Sequence, residues 1–252
     1  MARIIAVVNQ KGGVGKTTTA VHLGWALAHM GKYVLLVDID PQANATTYLG
    51  HNHRTIAGGV YESLFEPTRV KEFVLPTRKE TYRLLPAHLG LAGASVELVP
   101  LERREYRLQD ALLHIRNDYD FILIDAPPTL GILTLNGLVG ADEVLIPVQA
   151  EHFALEGLGQ LMETIGLVRE NIKPDLAVLG AVLTMHDDRY KLSQDIFEDL
   201  YRYFPEKIFR SVIPRSVKVA ESPRVAQTVF EYDPGSKAAK AYERLAKEVV
   251  GT

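Results

Sequence analysis

The chain has 252 residues, 47% hydrophobic and 23% charged, an ordinary globular balance that allows a sizeable buried core. It contains no cysteine, which excludes disulfides, thiolate metal sites and cysteine-held iron–sulfur clusters. The net charge of −3 gives no global attraction to nucleic acid, and no apolar run reaches the length of a membrane span.

Residues 3–8, apolar from Ile4 to Val8, read as a buried strand. The run is too short for a signal peptide and no small-residue cleavage site follows it, so a cytoplasmic protein is expected. A Gly-rich turn leads into a helix over 17–30. A second apolar run at 33–37 ends in acids. Residues 83–86 form a weak strand, and 121–124 a short strong one that again ends in aspartate. The pattern repeats at 144–148 and 176–183. Helical periodicity falls at 104–116, 155–170, 192–203 and 236–250. Continuous apolar strands separated by helices predict an α/β fold. The sheet is expected to be mostly parallel, with helices on both faces. Such sheets bind ligands outside the carboxyl ends of their strands, where the acids and glycines fall here. The segment 51–81, with Gly58-Gly59, Pro67 and Pro76, reads as surface loop with short helical pieces. It does not read as a linker, so residues 1–252 are expected to form one domain.

Asn9-Gln10-Lys11-Gly12-Gly13-Val14-Gly15-Lys16-Thr17-Thr18 joins the first strand to the first helix. Glycines let the backbone turn tightly and aim its N–H groups at a phosphate, and the helix N-terminus adds donors and partial positive charge. Residues Lys11, Gly12, Gly13, Val14, Gly15, Lys16, Thr17 and Thr18 are the expected nucleotide-binding set. Lys16 would reach the β- and γ-phosphates, and the Thr17 hydroxyl would hold Mg²⁺. The usual pattern G-x-x-x-x-G-K-[ST] fails at its first glycine, where Gln10 stands. Its replacement, K-G-G-x-G-K-T-T, carries an extra lysine at Lys11. An incidental Gly-rich turn explains the glycines but not the agreement of motif, strand and helix.

Two further strands end in acids, at Asp38-Ile39-Asp40-Pro41-Gln42 and at Asp125-Ala126-Pro127-Pro128. Four apolar residues followed by Asp describe a Walker B strand, whose carboxylate orients Mg²⁺ directly or through water. Asp40 is expected to position the attacking water. Thr17, Asp40 and Asp125 form the expected metal set. One of Asp38 and Asp40 could be structural, and Asp38 could cap a turn. Pro127-Pro128 and Gly131 would fix a switch loop that senses the γ-phosphate. A guanine-reading N-K-x-D is not matched by Asn171-Ile172-Lys173-Pro174-Asp175, which has the wrong spacing. ATP is therefore favoured over GTP.

Between 201 and 225 stand Arg202, Lys207, Arg210, Arg215, Lys218 and Arg224 against Glu206 and Glu221, a net of +4. Such a patch can hold phosphates with a strong salt dependence, although a solvated basic face is the plainer explanation. Arg189 and Lys191 are further candidates beside Asp187 and Asp188. His51 and His53 lack an acid or cysteine to complete a metal set and read as surface residues.

With these residues in view, the chain resembles the ParA/MinD group of deviant Walker A ATPases, and within it the short, Soj-like ParA partition proteins. The resemblance covers nearly the whole chain. It rests on residues 11–18, on Asp38-Ile39-Asp40-Pro41-Gln42-Ala43-Asn44-Ala45-Thr46 and on Ile124-Asp125-Ala126-Pro127-Pro128. It rests also on Pro147-Val148-Gln149-Ala150-Glu151 with Ala154-Leu155, and on Val212-Ile213-Pro214-Arg215. It implies a slow, Mg²⁺-dependent, partner-stimulated ATP hydrolase with Lys11, Lys16 and Asp40 as its catalytic residues. ATP would bring two subunits together, with Lys11 crossing to the phosphates of the other. The adenine would lie near Pro214 and Arg215. The ATP homodimer would bind double-stranded DNA without sequence preference, and Arg189, Lys207, Arg210, Arg215, Lys218 and Arg224 are the candidate contacts. A ParB-like activator would stimulate hydrolysis and release the dimer. The cycle would move plasmid or chromosome cargo along the nucleoid. A protein assembly as cargo remains an alternative. The chain starts almost directly at its first strand, so operator-specific repression through an N-terminal DNA-binding extension is not expected.

A MinD-like membrane-cycling ATPase is the nearest rival. It needs a lipid-binding helix, and Ala238, Ala241, Tyr242, Leu245 and Val249 do share one face of the last helix. That face is alanine-rich and has no Phe or Trp, so core packing is expected and a membrane partner is not. An electron-transferring reductase like the nitrogenase iron protein would need cysteines. Intact Lys16, Thr17, Asp40 and Asp125 argue against a scaffold that hydrolyses nothing.

Overall fold

The computed structural model describes residues 1–150, the backbone of 154–156, and residues 157–187 and 208–252. Its strands are β1 (Arg3–Val7), β2 (Val34–Asp38), β3 (Leu75–Pro76), β4 (Tyr82–Leu85), β5 (Phe121–Asp125), β6 (Glu143–Gln149) and β7 (Ala177–Thr184). They make one sheet in the order β3-β4-β2-β5-β1-β6-β7. All pairings are parallel except β3 with β4. The register sets Val7 and Asp38 both opposite Asp125. The carboxyl ends of β1, β2 and β5 therefore finish in one row, with the glycine loop and both acid-ending strands at the same edge.

Successive strand residues point to opposite faces, and both faces are covered. Ile5, Val7, Leu36 and Leu123 pack with Val21 and Leu27 of α1 (Lys16–His29) and with Tyr242 and Leu245 of α10 (Lys237–Gly251). Ile4, Ala6, Leu35, Val37, Ile122 and Ile124 face the other side. There they meet α3 (Val60–Phe65), α4 (Leu91–Glu97), α5 (Arg107–Leu113), α6 (Ile132–Gly140) and α7 (Ala154–Asn171). Burial on both faces is why these strands read as continuous apolar runs and not as alternation. Short helices α2 (Asn44–Tyr48), α8 (Val217–Glu221) and α9 (Val229–Tyr232) complete the described helices. Among the described residues no helix is long and apolar enough to cross a membrane.

The helix expected at 104–116 is shorter. Its regular part is α5, flanked by single 3₁₀ turns at Arg104–Tyr106 and Arg116–Asp118. Asn136 of α6 intervenes at its start: its Oδ1 accepts from the Leu108 N–H (3.0 Å) and its Nδ2 donates to the Arg104 carbonyl (2.8 Å). A side chain from another helix thus takes the bonds that an earlier helix start would have used. Helices α4 and α6 were not foreseen. Ile132–Gly140 has no charged residue, so no polar face marks a helical period. The short antiparallel β3 was also missed. It lies at the sheet edge, where Pro76 needs no ladder donor. Segment 51–81 otherwise holds the expected short pieces, α3 and a 3₁₀ stretch at Pro67–Phe73. The helix expected at 192–203 lies outside the described residues.

Candidate nucleotide site

The loop between β1 and α1 takes two left-handed steps, at Gly13 (φ 79°) and at Gly15 (φ 87°), the residue just before the helix. Any Cβ would be strained at both. A Cβ on Gly12 or Gly13 would meet nothing within 4 Å, so this part of the loop borders open space. Lys16 is the first residue of α1. It is buried, and its Nζ donates to the Lys11 carbonyl (3.0 Å). Burial lowers its pKa, while the charges of Asp125 and then Asp40 oppose that shift. Lys11 itself is exposed. Thr184, the last residue of β7, donates its hydroxyl to the Val14 carbonyl (2.8 Å) and ties the loop to the sheet.

Asp38 and Asp125 end adjacent strands at the same register, and both are fully buried. Asp38 is engaged by protein: its Oδ2 accepts from the Thr46 hydroxyl (2.7 Å) and N–H (2.8 Å), and its Oδ1 from the Asp40 N–H (3.3 Å). It braces the turn into α2, the structural role left open for it. Among the described residues neither Asp125 oxygen has a hydrogen-bond partner of good geometry. Burial, and then the charge of Asp38, push its carboxyl well above the usual carboxylate range. Thr17 and Lys16 favour the charged form. Burial raises Asp38 too, against its bonds from Thr46. Asp40 lies two residues beyond β2, where its Oδ1 accepts from the Gln42 N–H (2.9 Å). An orphaned buried carboxylate beside a threonine side chain at a helix start is a donor set that suits a hard, oxygen-seeking divalent cation such as Mg²⁺.

Of these groups Lys16, Thr17 and Asp40 line a cavity of about 420 Å³, with Gly12, Gly13 and Pro128 among its other walls. A second cavity, of about 400 Å³, shares Gly15, Thr18, Met185 and Pro223 with the first. Its further walls are largely apolar, with Ile213, Pro214, Val217 and Tyr242, and Arg215 joins them. The two cavities thus offer a polar end at the glycine loop and an apolar end, with Met185 lining both. Sequence reading missed Met185, which sits one residue beyond β7 with φ 52°, a strained setting for a side chain with a Cβ. It missed Asn44, Thr47 and Tyr48 of α2 as well, although Asn44 stands in the quoted run after Asp40. Asn171 ends α7, and Lys173 and Asp175 lie between it and the amino end of β7, at the opposite edge of the sheet from the cavities.

Arg210, Arg215, Lys218 and Arg224 are exposed. Lys218 lies 3.7 Å from Glu221 and 5.5 Å from the centre of the Tyr232 ring. Arg210 stands apart from the cavities, where its N–H donates to Glu248 of α10 (2.8 Å). Arg189 and Lys207, with Lys191 and Arg202, lie outside the described residues. His51 bonds the Pro76 carbonyl (2.9 Å) and His53 the Thr47 hydroxyl (3.2 Å), so each has its own protein partner.

A glycine loop that opens a helix at the carboxyl edge of this sheet places the chain in the P-loop NTPase fold. The family model described as an AAA domain matches residues 2–178. The chain is 48% identical over 249 residues to sporulation initiation inhibitor protein Soj of Bacillus subtilis, covering 99% of this chain and 98% of that one. It is 44% identical over 252 residues to chromosome-partitioning ATPase Soj of Treponema pallidum, at 99% and 98% coverage. Among solved structures, a Mycobacterium smegmatis protein described as cobyrinic acid a,c-diamide synthase with bound ADP and magnesium superposes with a TM-score of 0.87. It is 39% identical, over 98% of this chain and 93% of that one. The chain belongs to the ParA/Soj family of chromosome-partitioning ATPases.

Proposed function

We propose that the chain is a switch that dimerises on binding ATP, holds non-specific double-stranded DNA in that state, and lets go on hydrolysis stimulated by a ParB-like partner. The observation that supports it best is a single cavity lined by the open glycine loop, the buried Lys16, Thr17 and Asp40, at the same sheet edge as the unpartnered Asp125. In this reading the loop amides of residues 11–18 hold the phosphates. Lys16 neutralises the β- and γ-phosphates, and Lys11 reaches the phosphates of the second subunit. Thr17 and Asp125, with Asp40 close by, would hold Mg²⁺, which supplies further charge neutralisation to the phosphates. Asp40 orients the attacking water. Pro214 and Arg215 flank the base in the apolar cavity, and ATP is the nucleotide. Arg215, Lys218 and Arg224, exposed near that cavity, carry the DNA contact, and Arg210 is the more distant candidate.

The proposed setting is the cytoplasm, on the nucleoid, with plasmid or chromosome as cargo. Residues 1–252 act as one unit. Lipid binding through α10 is not favoured, because Ala238, Ala241, Tyr242, Leu245 and Val249 are buried. The test is binding to non-specific duplex DNA with ATP, with ADP and without nucleotide, at two salt concentrations, alongside ATP turnover. Binding that needs ATP and weakens with salt is expected. Equal binding in all three states would remove the switch, and no binding would remove DNA as the partner.

A further inference from the structure

The two halves of the glycine loop are anchored separately. Thr184 holds the second half, at the Val14 carbonyl (2.8 Å). Asn9 holds the first. Its side chain is buried, and both ends are engaged: Nδ2 donates to the Pro147 carbonyl of β6 (2.7 Å), and Oδ1 accepts from the Lys11 N–H (2.9 Å). Those partners fix which end of the amide is oxygen. Gln10 adds a longer tie in the same direction, from its Nε2 to the Thr164 hydroxyl on α7 (3.4 Å). The Lys11 carbonyl in turn accepts from Lys16 (3.0 Å). The peptide groups on both sides of the Lys11 Cα are therefore fixed, one by Asn9 and one by Lys16. The exposed Lys11 side chain starts from a backbone that cannot swing.

We propose that Asn9 is a positioning residue for Lys11: it clamps the Lys11 peptide to the end of β6 and so sets where the Lys11 ammonium is delivered. This rests on the reading of Lys11 as the residue that reaches a second subunit. A flexible lysine pays for each contact in lost freedom, and a fixed starting point reduces that cost. Because the second half of the loop has its own anchor, loss of Asn9 should spare what one subunit does alone. It should impair what two do together.

The experiment uses the full chain and reads two quantities, the affinity for ADP and the self-association driven by ATP. Asn9→Ala is expected to keep ADP affinity within about threefold while weakening ATP-driven association about tenfold, the size of one well-placed hydrogen bond. Thr184→Val should show the reverse order, losing ADP affinity first. Asn9→Ser keeps a short acceptor for the Lys11 N–H and should recover part of the association. It also serves as the test variant if Asn9→Ala does not fold. The double variant with Lys11→Ala should be no worse than Lys11→Ala alone, because both changes remove one interaction. Additive losses in the double variant, or an ADP affinity that falls as far as association does, would overturn the assignment. A defective Lys11→Ala with a normal Asn9→Ala sinks this proposal and leaves the dimer reading standing. A Lys11→Ala that associates normally sinks both.

Discussion

Lys16 is buried where its charge is costly, and Asp125 and Asp40 offset part of that cost. Phosphates in the cavity would offset more, so the lysine and the nucleotide should stabilise each other. Lys16→Ala is expected to abolish binding of a fluorescent ATP analogue, and retained binding would separate the cavity from the phosphates. Asp40 is a different case. It accepts from the Gln42 N–H and borders the cavity, but it stands two residues past the end of β2. Asp40→Ala should bind ATP and associate, yet turn over about a hundredfold more slowly, the low end of what a positioned base contributes. Normal turnover would move the water-positioning role elsewhere.

His22 makes a separate prediction about acid. It is fully buried, its Nδ1 bonds the Thr18 carbonyl (2.6 Å), and its Nε2 accepts from the Val229 N–H (3.0 Å). Both nitrogens are thus matched to the neutral ring with its proton on Nδ1, and burial lowers the pKa to about 4 from 6.5. A base depressed in the folded state contributes stability above the unfolded value, lost as pH falls from 6.5 through 4. The loss is about 3 kcal/mol if the full shift is realised. Urea denaturation at pH 7.5 and 4.5 should show this for the native chain. His22→Gln should be less stable at pH 7.5 but lose less on acidification, and an equal loss would assign the acid sensitivity to other groups.

At the scale of elements, α10 shows how packing settles a question that periodicity leaves open. Ser236 caps it through the Ala239 N–H (3.2 Å), and its apolar stripe is buried with α1. Leu245→Ala should cost about 2–5 kcal/mol in urea denaturation, the range for a truncated core leucine. A cost under 1 kcal/mol would mean that the stripe is not core. That stripe was legible because polar residues alternate with it. Strands β1, β2, β5, β6 and β7 were legible for a different reason: burial on both faces leaves nothing but apolar residues between turn signals. The same uniformity hid α6, whose apolar run has no polar face to betray a helix. The glycine loop before α1 and the aspartate that ends β5 were readable from local spacing alone. Met185, Tyr48 and the Asn9 clamp were not, because each acts through contacts between elements far apart in the chain.

At the scale of the whole molecule, the DNA reading makes a claim about number as well as position. If Arg215, Lys218 and Arg224 each neutralise one phosphate from each subunit of a dimer, the slope of log affinity against log salt should be about −5. Arg224→Ala is the cleanest probe, since Arg215 also borders the apolar cavity and Lys218 shares its charge with Glu221. The variant should associate with ATP like the native chain and shift the slope by about two, one phosphate for each of two subunits. Lys218→Ala should shift it less, because its ion pair already takes part of its charge. An unchanged slope would remove Arg224 from the interface. A shift of about one would be more informative, because it would mean that each stretch of DNA is gripped by one subunit and that ATP-driven pairing serves hydrolysis, not DNA binding.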